Sequence, residues 1–201
     1  ILSRMPITLI LNIVSMVLIF IISLYFGIKS ALNKNSFFDK FTGQLSLLSF
    51  SMPSFYLALL LVLIFAINFE ILPIAGLHSV PADGSLTYYL DYAWHLVLPI
   101  FIIVFGGIGS LILYIRSLTI EILKSDYIII VRARGLTPKQ ILRYYILPNL
   151  YPPIITLLGL SLPGIIGGSV VLETIFSIDG MGLLFYQSAL SHDYPVIMGI
   201  L

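Results

Sequence analysis

No cysteine occurs in the 201 residues. Its absence removes disulfide frameworks, thiolate zinc sites and cysteine nucleophiles together, and says nothing firm about the redox compartment. Charge is also scarce. Only 9% of residues are charged, 59% are hydrophobic and the mean hydropathy is +1.10, against about 25% charged and about 45–50% apolar in an average soluble domain. A soluble fold of this length could not hide so much apolar surface, so the solvent for this fold is lipid. Two further absences narrow the chemistry. No G-x-x-x-x-G-K-[ST] is present, so the chain has no P-loop for ATP. No acidic residue lies between the expected ends of the apolar runs, where a proton or ion relay would need one, and no paired carboxylates or nucleophile–base pair fall there.

What is present is a series of long uncharged runs. The first, residues 7–28, lies between Arg4 and Lys29, and about 22 residues at 1.5 Å each cross a core of roughly 30 Å. It exceeds a signal peptide's apolar stretch and has no small-x-small cleavage site after it. The second, 44–69, carries Pro53 in a Ser-rich start; the third, 96–115, has Gly106, Gly107 and Gly109 at its middle. The fourth, 154–172, is interrupted by Pro163-Gly164 and Gly167-Gly168, and the fifth begins near Pro195 and stops at Leu201. The expected fold class is all-α: a polytopic transmembrane helix bundle forming one domain over 1–201, with four complete spans and the start of a fifth.

Charge placement orients the bundle. Of ten Lys and Arg residues, Lys29, Lys34 and Lys40 share one connection, and Arg116, Lys124, Arg132, Arg134, Lys139 and Arg143 share another. Positions 44–115 and 151–201 contain none, whereas Glu70, Asp83, Asp91, Glu173, Asp179 and Asp193 fall in the alternate connections. The positive-inside rule then makes loops 29–43 and 116–150 cytoplasmic and loops 70–95 and 173–194 external. Tyr88, Tyr89, Tyr92 and Trp94 read as an interfacial belt. The first segment enters from outside, so a complete protein with both termini cytoplasmic is expected to have six spans. The absence of an initial Met suggests a fragment.

The inner loop of about 35 residues is long for a helix connection and reads as ordered. Asp126 is a candidate cap for a short helix to Arg134, with Gly135 as its left-handed stop. A second helix start follows at once: Thr137 as N-cap, Pro138 at N1, Gln140 closing a capping box, and Leu136 facing Ile141 as a hydrophobic staple. That helix runs to about Leu147, with Ile141, Leu142, Tyr145 and Ile146 forming an apolar stripe beside Lys139 and Arg143. On physics alone two readings stay open for this basic elbow. It lies on anionic headgroups or pads the ends of its own bundle, or it sits in a groove on a cytoplasmic partner.

The segment 126–149, DYIIIVRARGLTPKQILRYYILPN, resembles the cytoplasmic loop with central Gly of ABC-type importer permeases. Its form D-Y-x-x-x-x-R-A-[KR]-G-L is similar to the oligopeptide, dipeptide and nickel permease family. RMPITLIL near Arg4, LSFSMPSF near Pro53, FEILPIAG near Pro73, ETIFSIDGMG at Glu173 and SHDYPVIMG ending at Gly199 fall in the family's order. The whole chain looks most like the first (B-type) of the two paired permease subunits, without the family's first helix and most of its last. Family members often carry Trp-Pro where this sequence has Ile178-Asp179.

The resemblance implies a non-catalytic subunit that moves peptides or nickel by alternating access. It implies a second homologous permease, two ABC ATPase subunits that bind ATP and Mg, and an extracytoplasmic substrate-binding protein as partners, together with the lipid bilayer of a bacterial or archaeal inner membrane and no nucleic acid. This chain itself would hold no cofactor. ATPase docking is expected at Asp126, Arg132, Ala133, Arg134, Gly135, Leu136, Thr137, Gln140, Ile141 and Tyr145. The competing class is an ion-gradient-driven carrier or channel whose basic loop only anchors to lipid.

Other candidates read more plainly. His78, His95 and His192 show no ligand spacing such as H-x3-H and read as interfacial histidines rather than metal ligands. Gly164 and Gly168, with Gly106, Gly107 and Gly109, read as close-packing positions. Pro53, Pro163 and Gly164 are kink candidates beside a pathway, and Ser49, Ser51 and Ser54 are candidates for a polar cavity wall, although such hydroxyls also bond back to their own helix.

Overall fold

The computed structural model describes residues 1–81 and 83–200. Among them the regular elements are all helical: α1 (Met5–Leu32), α2 (Phe37–Ser51), α3 (Ser54–Leu61), α4 (Leu86–Lys124), α5 (Asp126–Ala133), α6 (Pro138–Ile141), α7 (Leu147–Gly167), α8 (Val170–Ile175), α9 (Met181–Leu190) and α10 (Tyr194–Ile200). Wider i→i+5 turns extend α3 over Val62–Asn68 and join α6 to α7 over Leu142–Ile146. Among the described residues three helical stretches are long and apolar enough to cross a membrane, Met5–Leu32, Leu86–Lys124 and Pro138–Ile165, with a fourth if the broken pair Phe37–Ser51 and Ser54–Asn68 counts as one.

Two sequence expectations about continuity change. The run 44–69 is not one helix: α2 stops at Ser51, and Pro53, at φ −61° and ψ 134°, stands in extended backbone before α3 begins. Proline has no N–H to continue a helix, and the residue before it is pushed out of the α region. Conversely, α7 runs straight through Pro163-Gly164 and ends at Gly167. The break falls on Gly168, at φ +67°, where only glycine is at ease.

The chain divides into two compact units. Unit one comprises Ile1–Leu18, Met52–Gly106 and Pro163–Leu201. Its core joins Ile7 and Leu11 of α1, Leu57 and Ala58 of α3, Leu96, Leu98 and Ile102 of α4, and Leu172, Phe176 and Ile178. The segment 173–194, expected as an external loop, is largely folded into short helices, and its Phe176 and Ile178 are core.

A buried polar knot fixes that segment. Glu173 is 2% exposed. It accepts hydrogen bonds from the Thr8 hydroxyl at 3.1 Å and from the N–H groups of Gly182 and Leu183 at 2.7 and 3.1 Å. Thr8 Oγ1 in turn accepts from the Met181 N–H at 2.8 Å. Glu173 and Thr8 thus cap the first turn of α9, whose N-cap residue Gly180 has no side chain to do so. One turn along α1, the Asn12 amide donates to the Ile165 carbonyl at 2.7 Å, satisfying a group freed by the end of α7.

Unit two comprises Ile19–Ser51 and Gly107–Leu162. Its core gathers Ile115 of α4, Ile128 and Val131 of α5, Ile141 of α6, and Ile146, Leu150 and Ile154. Close approach in this unit is bought with glycine: a Cβ on Gly27 would sit 2.9 Å from Ile115 Cβ, and one on Gly109 would run into the Ser46 carbonyl and 2.8 Å from Ser49 Oγ. Asp39, 5% exposed, bolts the α1–α2 turn to α4. Arg116 Nε and Nη2 donate to its two oxygens at 2.6 and 2.8 Å; Ser30 Oγ and the Asn35 N–H donate as well.

Candidate functional site

The basic elbow at 125–147 lies wholly within unit two, and its shape follows from local sequence. Ser125, at φ −69° and ψ 148°, is the N-cap of α5, and its hydroxyl donates to the Ile122 carbonyl at 2.5 Å and accepts nothing from the helix it precedes. Asp126, expected as the cap, is the first residue inside the helix. There its charge favours the positive end of the helix dipole.

At the far end Gly135 takes φ +82°. The Gly135 N–H bonds to the Arg132 carbonyl at 2.9 Å and the Leu136 N–H to the Val131 carbonyl at 3.3 Å. These two bonds are the paired contacts of a Schellman stop.

The next helix begins two residues later. Thr137 (φ −70°, ψ 155°) accepts from the Gln140 N–H at 3.4 Å, and its own N–H donates to Gln140 Oε1 at 2.8 Å, so the expected capping box is closed. Pro138 occupies the first helical position, where its missing N–H costs nothing. Leu136 and Ile141 both pack into the unit-two core on either side of the cap, as a staple requires.

The elbow sorts its side chains by face. Ile141 is buried, and Leu136, Leu142 and Tyr145 pack half-buried against the same core. The expected apolar stripe for a partner groove therefore faces the chain's own helices. An apolar face gains most from the nearest apolar surface, and α1 and α4 supply it. Asp126, Arg132, Ala133, Arg134, Gly135, Thr137 and Gln140 remain exposed. Tyr127, Ile129, Ile130 and Tyr144 are exposed as well, so the free surface of the elbow sets apolar residues beside its cations, and it holds seven of the ten residues expected from the sequence. Among the described residues no ion pair engages Lys124, Arg132, Arg134, Lys139 or Arg143.

The candidate pathway residues are divided between the two units, Ser49 and Ser51 in unit two and Pro53, Ser54, Pro163 and Gly164 in unit one. Ser49 is buried in the helix seam against Gly109, while Ser51, Pro53 and Ser54 are exposed around the helix break. Pro163 and Gly164 are exposed on α7. Of the glycines read as packing positions, Gly107, Gly109 and Gly168 meet neighbours, whereas a Cβ on Gly106 or Gly164 would meet nothing within 4 Å.

His95, read as interfacial, is 6% exposed. Its Nδ1 lies 2.8 Å from the Asp91 carbonyl and its Nε2 3.2 Å from Ser79 Oγ, while the Ser79 N–H donates to Asp91 at 2.6 Å. It anchors Ser79 to α4. Among the described residues no three His, Asp or Glu side chains converge as a metal site would need.

Three groups that organise the fold escaped sequence reading: the Glu173–Thr8 knot, the Asp39–Arg116 bolt and His95. The first two join residues 165 and 77 positions apart, and no local pattern marks such pairs. The one available signal was an acid, Asp39, standing alone among the lysines of a basic connection.

An all-helical, multi-pass chain with a glycine-centred basic elbow between membrane helices is the architecture of an importer permease. The chain belongs to the family of binding-protein-dependent transport system inner membrane components, whose pattern matches residues 22–201, and it is a multi-pass protein of the inner membrane.

Within that family it is similar to the oligopeptide transport system permease protein AppB of Bacillus subtilis (strain 168), 36% identical over 200 residues that cover 100% of this chain and 62% of the relative. The dipeptide transport system permease protein DppB of the same organism is 36% identical over 194 residues, 96% of this chain and 59% of the relative. The inner membrane ABC transporter permease protein YejB of Escherichia coli O157:H7 is 31% identical over 207 residues, 99% and 56%. The chain thus spans about 56–62% of the length of these relatives.

Proposed function

We propose that the chain is the membrane-spanning part of a B-type permease subunit that imports peptides, powered by separate ATPase subunits. The elbow is the observation that carries this. Its Schellman stop, capping box and buried inner face fix a cationic surface, Arg132–Gln140, on a rigid mount. A mount of that kind converts a push on the surface into movement of α4 and α7, to which it is joined at both ends. An ATPase can drive transport only if its nucleotide states bind this surface differently, because a partner with equal affinity for two states shifts neither.

In this reading the loops 29–43 and 116–150 are cytoplasmic, which the distribution of Lys and Arg supports. A second homologous permease completes the pathway, and an external binding protein delivers the substrate. Peptides are preferred to nickel because the relatives' names specify oligopeptides and dipeptides.

The test uses the full-length permease with its partner subunits in vesicles. Arg134→Glu replaces one of the three cations of the exposed surface with an anion without touching the core. Peptide uptake should be lost and ATPase co-purification weakened. Normal uptake and co-purification would sink the proposal, and so would uptake by the unmodified complex that follows an ion gradient and persists without ATP.

A further inference from the structure

A groove of about 660 Å³ opens in unit two between the second half of α1 and the region where α7 begins. Ile21, Leu24, Ile28 and Leu32 form one wall, Leu147 and Tyr151 line the other, and Lys29 is the one charged residue in its lining. From Ile21 to Leu32 is eleven steps, roughly 16 Å of helix, or about half the thickness of a ~30 Å hydrocarbon core. The groove is one leaflet deep. Its mouth is open, with Ile21 59% and Tyr25 56% exposed.

Lys29 stands near the polar end of this groove and is held in place without being neutralised. Its Nζ donates to Tyr25 Oη at 2.9 Å and stands 4.6 Å from the centroid of the Phe38 ring. The nearby carboxylate of Asp39 is already occupied by Arg116, Ser30 and Asn35. No acidic side chain lines the groove, and among the described residues no ion pair includes Lys29.

We propose that this groove binds an anionic phospholipid, one acyl chain lying between α1 and α7 and the phosphate resting on Lys29. The lining supplies a single cation in a largely apolar groove and no acid to pair with it, the complement of a headgroup phosphate above an acyl chain. A zwitterionic lipid offers the phosphate with a cation attached, so the uncompensated lysine selects for net negative charge. Which leaflet supplies the lipid rests on the orientation proposed above; the lipid class does not.

The probe is fluorescence quenching by brominated lipid. Trp94 is the sole tryptophan of these 201 residues. With Trp94→Phe, and any other tryptophan of the full-length chain replaced likewise, Tyr151→Trp reports from inside the groove of the assembled transporter. Dibrominated phosphatidylglycerol and dibrominated phosphatidylcholine are compared at equal low mole fraction in unbrominated phosphatidylcholine vesicles. The anionic lipid should associate about fivefold more strongly, the equivalent of ~1 kcal/mol for one cation near an anionic surface. Lys29→Gln should remove the preference and Lys29→Arg should keep it. Equal quenching by both lipids would overturn the proposal. Quenching by neither would overturn it too, because protein would then cover the groove, and a preference surviving Lys29→Gln would take the phosphate away from Lys29.

Discussion

Gly135 is the residue on which the elbow's shape turns, and a substitution series there separates conformation from contact. Its φ of +82° lies in the left-handed region, and a Cβ built on it meets nothing within 4 Å. The cost of a side chain is therefore backbone strain alone, about 1–2 kcal/mol for an ordinary L-residue. Asn tolerates this region far better, and a β-branched residue tolerates it least. Burial of Ile128, Val131, Ile141 and Ile146 holds the elbow, each side chain being worth about 1.5–3 kcal/mol as an upper figure. Strain of 1–2 kcal/mol does not unfold it. The strain instead weakens the local stop by releasing the Gly135–Arg132 and Leu136–Val131 bonds.

The expected order is thus Gly ≈ Asn > Ala > Val. It would be read as hydrogen-exchange protection of amides 134–141 in the full-length permease, with protection falling about tenfold per 1.4 kcal/mol. Peptide uptake by the assembled transporter should follow the same order. If Val protected these amides as well as Gly, the left-handed stop would not hold the elbow. If Asn proved as damaging as Val, the fault would lie in a steric contact rather than in φ.

Three further outcomes follow from the packing. Arg116→Met leaves the buried Asp39 carboxylate without its bidentate partner and should destabilise the permease by on the order of 3 kcal/mol; pairing it with Asp39→Leu should recover part of that loss in thermal unfolding, and no recovery would refute the bolt. Gly109→Ala drives a Cβ into the Ser46 carbonyl and should cost about 1–3 kcal/mol, whereas Gly106→Ala on the same helix meets open space and should be neutral or slightly stabilising. Equal melting shifts for the two would contradict the close α2–α4 crossing. Burial raises the Glu173 carboxyl above its ordinary value despite the N–H groups of Leu183 and Gly182 and the Thr8 hydroxyl. A carboxyl raised in the folded state contributes stability below its ordinary value and loses it as pH climbs through the raised one, so the melting temperature should fall across that window and Glu173→Gln should flatten the fall.

The elbow was legible in the sequence because its determinants are local. Thr137, Pro138 and Gln140 satisfy one another within four residues, and Gly135 is required by a backbone angle that other residues resist. The direction of the apolar stripe was not legible. Periodicity says that Ile141, Tyr145 and Ile146 share a face, but not whether a partner or the chain's own α1 and α4 will cover it. The two proline breaks show the same limit. Pro53 interrupts its run and Pro163 does not, although both stand in apolar segments.

By itself, then, the sequence determined the solvent, the class and the hinge chemistry: too little charge for water, too many uncharged runs for one or two spans, and a capped glycine elbow in a basic loop. Each of these is a property of composition or of residues within a turn of one another. Tertiary structure alone decided that Ile141 and Ile146 of the elbow turn into the chain's own core while Arg132, Arg134 and Lys139 stay exposed. It also decided that Glu173 and Thr8 cap a helix begun 173 residues after Thr8, and that Asp39 is spent on Arg116 while Lys29 is left uncompensated. Charges and orphan backbone groups must find partners wherever the fold brings them, and nothing in the local sequence specifies which partner arrives.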